Sequence, residues 1–259
     1  MTDEDKILCE YILENGYVNP NEEIAYPPSS ISMGEKEFRG VKYDIPISTF
    51  GNIVFVQAPP KSMKTFFISL ISSAYLSGGN KYTGKLKGNY QGKLMHVDTE
   101  QGTFHALKTF QRPCRMSEIN TDNYLTFALR PYAPRERTQF IDWYLANHEV
   151  KFLIIDGIAD LVNDVNDLKE CNKMIQKLMK WSEKYDMTII TVIHTNYGSD
   201  KPTGHLGSAI EKKCEAQINL TFDGSLASVT CKRTRNFAFE DFEFEIDNSG
   251  LPTIIQHPI

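Results

Sequence analysis

The segment Ile53-Val54-Phe55-Val56-Gln57-Ala58-Pro59-Pro60-Lys61-Ser62-Met63-Lys64-Thr65-Phe66-Phe67 constrains this chain more than any other. It reads as a buried strand, a short loop, and Lys-Thr opening an apolar helix. The start of such a helix offers unpaired backbone amides and a partial positive charge to an anion. The layout is that of a phosphate-binding loop. In that loop Lys64 reaches the terminal phosphates of a nucleotide, and the Thr65 hydroxyl holds Mg2+. The loop departs from G-x-x-x-x-G-K-[ST], because Ala58 stands at the first glycine and Met63 at the second. Glycine at those places permits close backbone approach and unusual dihedrals. Taken alone, the segment also fits an ordinary strand-to-helix turn. With no ligand bound, Lys64 is expected to face solvent.

The rest of the chain repeats the strand–helix alternation. Strands are expected at 52–57, 93–97, 125–128, 152–155 and 188–193, and helices at about 64–78, 103–112, 135–147 and 167–184. The strands are continuous apolar runs, as in a parallel sheet covered on both faces by helices. The last helix carries Leu168, Cys171, Ile175, Leu178, Met179 and Ser182 on one stripe. Beyond residue 215 the pattern changes to short strands at 217–221, 227–232 and 242–246, joined by turns such as Phe222-Asp223-Gly224-Ser225. The expected fold is α/β, a mainly parallel twisted sheet flanked by helices, with antiparallel C-terminal strands. At the other end, Ile7, Leu8, Tyr11 and Ile12 make one face of a helix over residues 3–15. Residues 17–50, rich in Pro, Gly, Ser and Asn, read as a wrapping segment or linker. It holds short extended pieces such as Val41 to Ile45, which Pro46 would end. The expected organisation is an N-terminal helix and wrapping segment over 1–50 and the main domain over 51–259.

Composition narrows the function. With 259 residues, 41% of them hydrophobic, the chain can bury one sizeable core. Its net charge of −5 means that the surface as a whole does not attract nucleic acid, so any such contact needs a local basic loop or an assembled pore. Five scattered cysteines without a C-x-x-C or Cys/His cluster argue for a reducing cytoplasm and against a zinc site. The acidic start is not a signal peptide. The longest apolar stretch, Thr65 to Leu76, is too short to span a bilayer, so no membrane partner is expected.

Three further strands end in chemistry. Phe152-Leu153-Ile154-Ile155-Asp156 places a carboxylate where ligands bind in open α/β sheets. There Asp156 would hold Mg2+ through water beside the phosphate loop. Leu94-Met95-His96-Val97-Asp98-Thr99-Glu100 ends in two carboxylates. Glu100 could orient and activate a water attacking the γ-phosphate, whereas Asp98 also fits a helix-start cap. Ile189-Ile190-Thr191-Val192-Ile193-His194 ends in a group that could sense the γ-phosphate or serve only as a structural hydrogen bonder. The polar loop that follows, from Asn196 to His205, offers Tyr197 to stack on a base and Lys201 to meet a phosphate of single-stranded DNA.

The order of the four strand ends is more specific than any one of them. Phosphate loop, D-T-E, I-I-D and I-H-T-N together resemble the RecA-like P-loop ATPase core. The likeness is to the branch with KaiC, DnaB-type and RepA-type helicases, and within it to small ATPases of mobile elements and phages. The resemblance covers roughly residues 30–250. It implies ATP and Mg2+ as ligands, bound by the loop Ala58, Pro59, Pro60, Lys61, Ser62, Met63, Lys64 and Thr65, with Asp156. It places the loop after His194 in a ring's central channel, followed by a short helix near Gly204. It also matches Lys232-Arg233-Thr234-Arg235-Asn236 to a basic segment whose Arg233 or Arg235 reaches the γ-phosphate of the neighbouring subunit. The implied protein is a homo-oligomeric ring such as a hexamer, acting on DNA as a helicase-like motor or accessory ATPase in replication or mobilisation. Two alternatives stay open at this point: a regulatory or scaffold protein with weak or lost hydrolysis, and a P-loop small-molecule kinase.

Overall fold

The computed structural model describes residues 1–23, 27–196 and 201–255. In chain order its elements are α1 (Asp3–Gly16), β1 (Ser29–Phe38), β2 (Val41–Thr49), β3 (Ile53–Ala58), α2 (Lys64–Ser77), β4 (Leu86–Gly88), β5 (Leu94–Asp98), α3 (Thr103–Met116), β6 (Tyr124–Ala128), α4 (Pro134–Asn147), β7 (Phe152–Asp156), α5 (Leu168–Lys184), β8 (Thr188–His194), α6 (Gly204–Glu211), β9 (Ala216–Phe222), β10 (Ala227–Thr234), β11 (Phe242–Ile246) and β12 (Pro252–Ile254). The main sheet runs β12-β11-β10-β9-β3-β8-β7-β5-β6. The six strands from β9 to β6 are parallel, and β10 to β12 extend the sheet in antiparallel fashion.

Every residue of β3, β5 and β7 is buried, which is why those strands are mostly apolar and carry their polar residues towards one end. Alternate side chains feed two cores. Val54 and Val56 pack on the side of α2 and α3, with Phe67, Leu70 and Ile71. Ile53 and Phe55 pack on the other side, with Ile141, Leu178 and Leu206 of α4, α5 and α6. Helix α2 stops at Gly78, whose φ of 78° provides the left-handed turn that other residues adopt at a cost.

Helix α5 starts at Asp167, whose side chain accepts the Glu170 amide at 2.8 Å. Its buried face is Cys171, Met174, Ile175, Leu178, Trp181 and Ser182. Two residues expected on that stripe are exposed, Leu168 and Met179. Leu168 opens the helix beyond the edge of the core, and Met179 is turned about 100° away from Leu178.

The segment expected to wrap or link is a long β1–β2 hairpin, joined by β4 in a second, three-stranded sheet. Pro46 does not end β2. It pairs opposite Ser32 within the strand, and β2 is an edge strand, where a missing amide costs no ladder bond. The hairpin sends Ile31, Met33 and Ile47 into the larger core. The N-terminal helix forms as its periodicity indicates, yet none of its residues is buried.

Candidate nucleotide site

Parallel pairing sets the polar strand ends abreast. Ala58 lies opposite His194, Asp156 opposite Val192, and Asp98 opposite Asp156. The chain leaves β3 through the phosphate-type loop, in which Ala58 is buried and Pro59, Pro60 and Lys61 are exposed. The Ser62 hydroxyl donates to the Pro59 carbonyl at 2.6 Å and closes the turn. Lys61 and Met63 both take left-handed backbone, with φ of 62° and 65°. Met63 therefore adopts the conformation for which glycine is usual at this place, at a cost of about 1–2 kcal/mol. Helix α2 makes its first backbone bonds from Phe66 and Phe67 to the Met63 carbonyl, both at 3.0 Å. The amides of Lys64 and Thr65 thus lie in the helix's unpaired first turn, and the Thr65 side chain is half-buried beside them.

Lys64 is not solvent-facing. It is buried, and its ammonium donates to the Pro59 carbonyl at 3.2 Å and lies 3.1 Å from His194 Nδ1. Burial lowers its pKa, while the negative charges of Glu100 and Asp156 oppose that shift. On its other side the His194 ring brings Nε2 to 3.4 Å from Glu100 Oε1. Glu100 is held below the usual carboxylate range, first by the hydrogen bond from His194, against its partial burial. Lys64, His194 and Glu100 form one continuous polar chain across three strand ends.

Asp156 is buried, and its Oδ2 has no hydrogen-bond partner. Its carboxyl is pushed up to about 8 by burial, then by the charges of Asp98 and Glu100, with Lys64 pulling the other way. A buried carboxylate oxygen without a donor fits a site for hydrated Mg2+. Asp156 and the Thr65 hydroxyl are the groups that would hold the ion.

Asp98 caps a turn. Its carboxylate accepts the amides of Glu100 and Gln101 at 3.0 and 2.8 Å and the Gln101 side-chain amide at 2.9 Å. The cap therefore serves the 99–101 turn, one step ahead of α3, whose own start is Gly102. Three supporting residues went unnoticed in the sequence. Thr99 stitches β5 to β7: its amide donates to Asp156 O at 2.8 Å, and its hydroxyl accepts the Gly157 amide at 2.9 Å. Gly157 leaves the space that Glu100 occupies, since a Cβ there would lie 2.6 Å from Glu100 Oε1. Arg137 is buried and donates to the carbonyls of Leu129, Arg130 and Asp160. These contacts join residues up to 58 positions apart, so no local motif announces them.

Arg233 and Arg235 do not meet this cluster within their own chain. Thr234 pairs with Ala216, and Ala216 pairs with Val54 at the start of β3, so the basic segment sits at the opposite end of the sheet from Ala58. Arg233 pairs with Glu211 at 3.2 Å, and Arg235 donates to the Lys213 carbonyl at 3.2 Å. The Glu215 carboxylate accepts Asn236 Nδ2 at 2.6 Å and Thr49 Oγ1 at 2.7 Å, tying that segment to β2. Lys201 closes the loop after β8, its carbonyl accepting the Asn196 amide at 2.9 Å. Tyr197 lies outside the described residues.

The AAA domain family matches residues 39–200, more than half of the chain. This chain belongs to the AAA domain family. A crystal structure of the RadB recombinase is similar to this AAA domain protein with a TM-score of 0.55 and 20% identity, over 78% of this chain and 91% of that one. At that identity the likeness speaks for the fold, and the fold is RecA-like, with the parallel strands and antiparallel extension expected from the sequence. Comparison with curated protein sequences gives no match. Among the described residues no helix is long and apolar enough to cross a membrane.

Proposed function

We propose that this RecA-like AAA domain protein binds Mg-ATP at the open ends of β3, β8, β7 and β5 and hydrolyses it there. One observation carries the reading: Lys64, His194, Glu100 and the unpartnered oxygen of Asp156 converge at those strand ends. Lys64 exchanges the Pro59 carbonyl and His194 for phosphate oxygens when nucleotide enters. The Ala58–Met63 loop and the first amides of α2 cradle the phosphates. When bound, Mg2+ neutralises phosphate charge, and Thr65 with Asp156 holds it. Glu100, kept ionised beside His194, positions the attacking water and accepts its proton. His194, released from Lys64, reports the γ-phosphate to the following loop. The base of that loop is tied to it, since the Thr203 amide and hydroxyl both donate to the His194 carbonyl, at 3.0 and 2.8 Å.

Arg233 or Arg235 completes the site of a neighbouring copy. Support comes from the strand register, which sets them about 13 Å along the sheet from their own phosphate loop. Positive charge supplied across an interface favours a homo-oligomeric ring, a hexamer being one closed form. Lys201, repeated around the channel together with Tyr197, then contacts single-stranded DNA, in keeping with a helicase-like motor or accessory ATPase of replication or mobilisation. A regulatory role with slow hydrolysis is the second reading, favoured by the left-handed Met63 where glycine is usual. Steady-state ATPase measured with and without single-stranded DNA decides between them. Turnover stimulated by DNA supports the motor. Tight ATP binding without turnover supports the regulator, and no ATP binding at all removes both.

A further inference from the structure

The groove between α4 and α5 holds more positive charge than its own carboxylates answer. Lys173, Lys177, Lys180 and Lys184 of α5 line one side, and Arg135 of α4 stands on the other. At 100° per residue the four lysines fall within an arc of about 60° and extend over about 17 Å of helix. The same helix buries Cys171, Ile175 and Leu178 on its other side, so the lysines are turned away from the sheet. Two depressions of about 320 and 400 Å3 follow the groove and share Lys177. In a chain of net charge −5 this stripe is a local inversion of sign.

The carboxylates of the groove are already engaged. Asp142 pairs with Lys177 and accepts the Trp181 indole N–H at 2.8 Å. Glu170 accepts the Asn163 backbone amide at 3.0 Å, the Asn163 side-chain amide at 2.7 Å and the Asp164 amide at 3.2 Å. Among the described residues no ion pair engages Arg135, Lys173, Lys180 or Lys184. Lys184 lies 5.0 Å from the centre of the Tyr185 ring, a contact that leaves its charge uncancelled. The floor offers no apolar anchor, because Leu161, Val162, Met174 and Trp181 are buried in the chain's own core.

We infer that the α4–α5 groove is a contact for the phosphodiester backbone of a nucleic acid, apart from the loop after β8. A protein partner needs an apolar centre to its interface, which this groove lacks. A lipid surface takes apolar side chains beside the cations, and none is offered here. A single phosphate group would meet one or two of the lysines and leave the others unanswered. A nucleic-acid backbone repeats its charge along a line, and the lysines recur along theirs every 4.5–6 Å, about one helical turn. Backbone binding draws its affinity from released counterions and needs no apolar floor. Cations that meet phosphates alone carry no sequence information, so the contact is indifferent to base sequence. None of the groove residues belongs to the nucleotide site, and the inference rests neither on hydrolysis nor on self-association.

The test uses the full chain without ATP and a fluorescent mixed-sequence oligonucleotide, single-stranded or annealed as duplex, in anisotropy titrations over a range of salt. Lys173→Ala with Lys180→Ala should weaken binding by about tenfold or more at low salt, equally for different sequences. It should also flatten the dependence of log K on log salt by about 1.8 for duplex or about 1.4 for single strand, the loss of two phosphate contacts. Lys173→Arg with Lys180→Arg should bind as the wild type does, which separates charge from fold. The form of nucleic acid that binds more tightly names the natural one. Lys64→Ala should leave this binding intact, so a failed nucleotide site and a failed groove are told apart. Four results would overturn the inference: no binding of either form by the wild type at low salt, affinity and salt slope indifferent to the double alanine change, binding lost only with Lys201→Ala, or equal binding of anionic phospholipid vesicles that the alanine variant also loses.

Discussion

The Lys64 ammonium sits 3.1 Å from His194 Nδ1. An ammonium has only protons to give, so Nδ1 accepts and the neutral ring carries its proton on Nε2, facing Glu100 3.4 Å away. The arrangement fixes the imidazole tautomer and links Lys64 to the carboxylate proposed as base. Lys64→Ala should abolish measurable ATP binding in calorimetry. Thermal stability without ligand should drop modestly, because the Pro59 carbonyl and His194 lose a donor worth about 1 kcal/mol each. Unchanged affinity would remove Lys64 from the nucleotide site.

Glu100→Gln separates binding from chemistry. The amide keeps size and hydrogen bonding but cannot accept a proton. ATP affinity should stay near wild type while single-turnover hydrolysis falls by about 10²–10⁴-fold. Full turnover would mean that another group positions the water.

Gly157→Ala tests the same carboxylate from below. The added Cβ would meet Glu100 Oε1 at 2.6 Å, and only the flexible end of that side chain has to give way. The fold and ATP affinity should survive, with turnover reduced about tenfold or more by misplacement of the base. Wild-type turnover in this variant would show that the position of Glu100 does not matter.

Asp156 makes stability without ligand depend on pH. Its folded pKa, about 8, lies above the unfolded value. Between about pH 4 and pH 8 the folded state keeps a proton that the unfolded state has lost, so stability falls as pH rises. Asp98 and Asp160, also raised by burial, act in the same direction. The melting temperature should therefore be higher at pH 6 than at pH 8, with each 1 kcal/mol worth about 2–4 °C in a chain of this size. Asp156→Asn should flatten the slope and raise the value at pH 8. A slope unchanged in the variant would show that Asp156 ionises normally.

Arg235 is tested by mixing. Lys64→Ala and Arg235→Ala protomers should each be inactive alone yet regain part of the ATPase rate together, since one mixed interface carries both intact halves. Stable mixed oligomers with no recovery at any ratio would argue that Arg235 serves only its own chain, where it already bonds the Lys213 carbonyl.

The sequence by itself determined the elements and the order of their chemistry. Short continuous apolar runs bounded by turn signals read as strands buried on both faces, so β3, β5, β7 and β8 were legible, each followed by polar residues at the same end of the sheet. Lys64, Glu100, Asp156 and His194 were singled out this way, because a strand end and the loop that follows it are local features. The tertiary structure decided what local pattern cannot encode. It folded Lys64 inward onto His194, 130 positions away, and used Thr99 to join β5 to β7 and Gly157 to make room for Glu100. It drew the Pro-containing β1–β2 hairpin into the core through Ile31, Met33 and Ile47. It also set Arg233 and Arg235 at the far end of the sheet. Periodicity reports which side of an element is buried, whereas strand order and register follow from the sum of many long-range contacts, which no single stretch of residues contains.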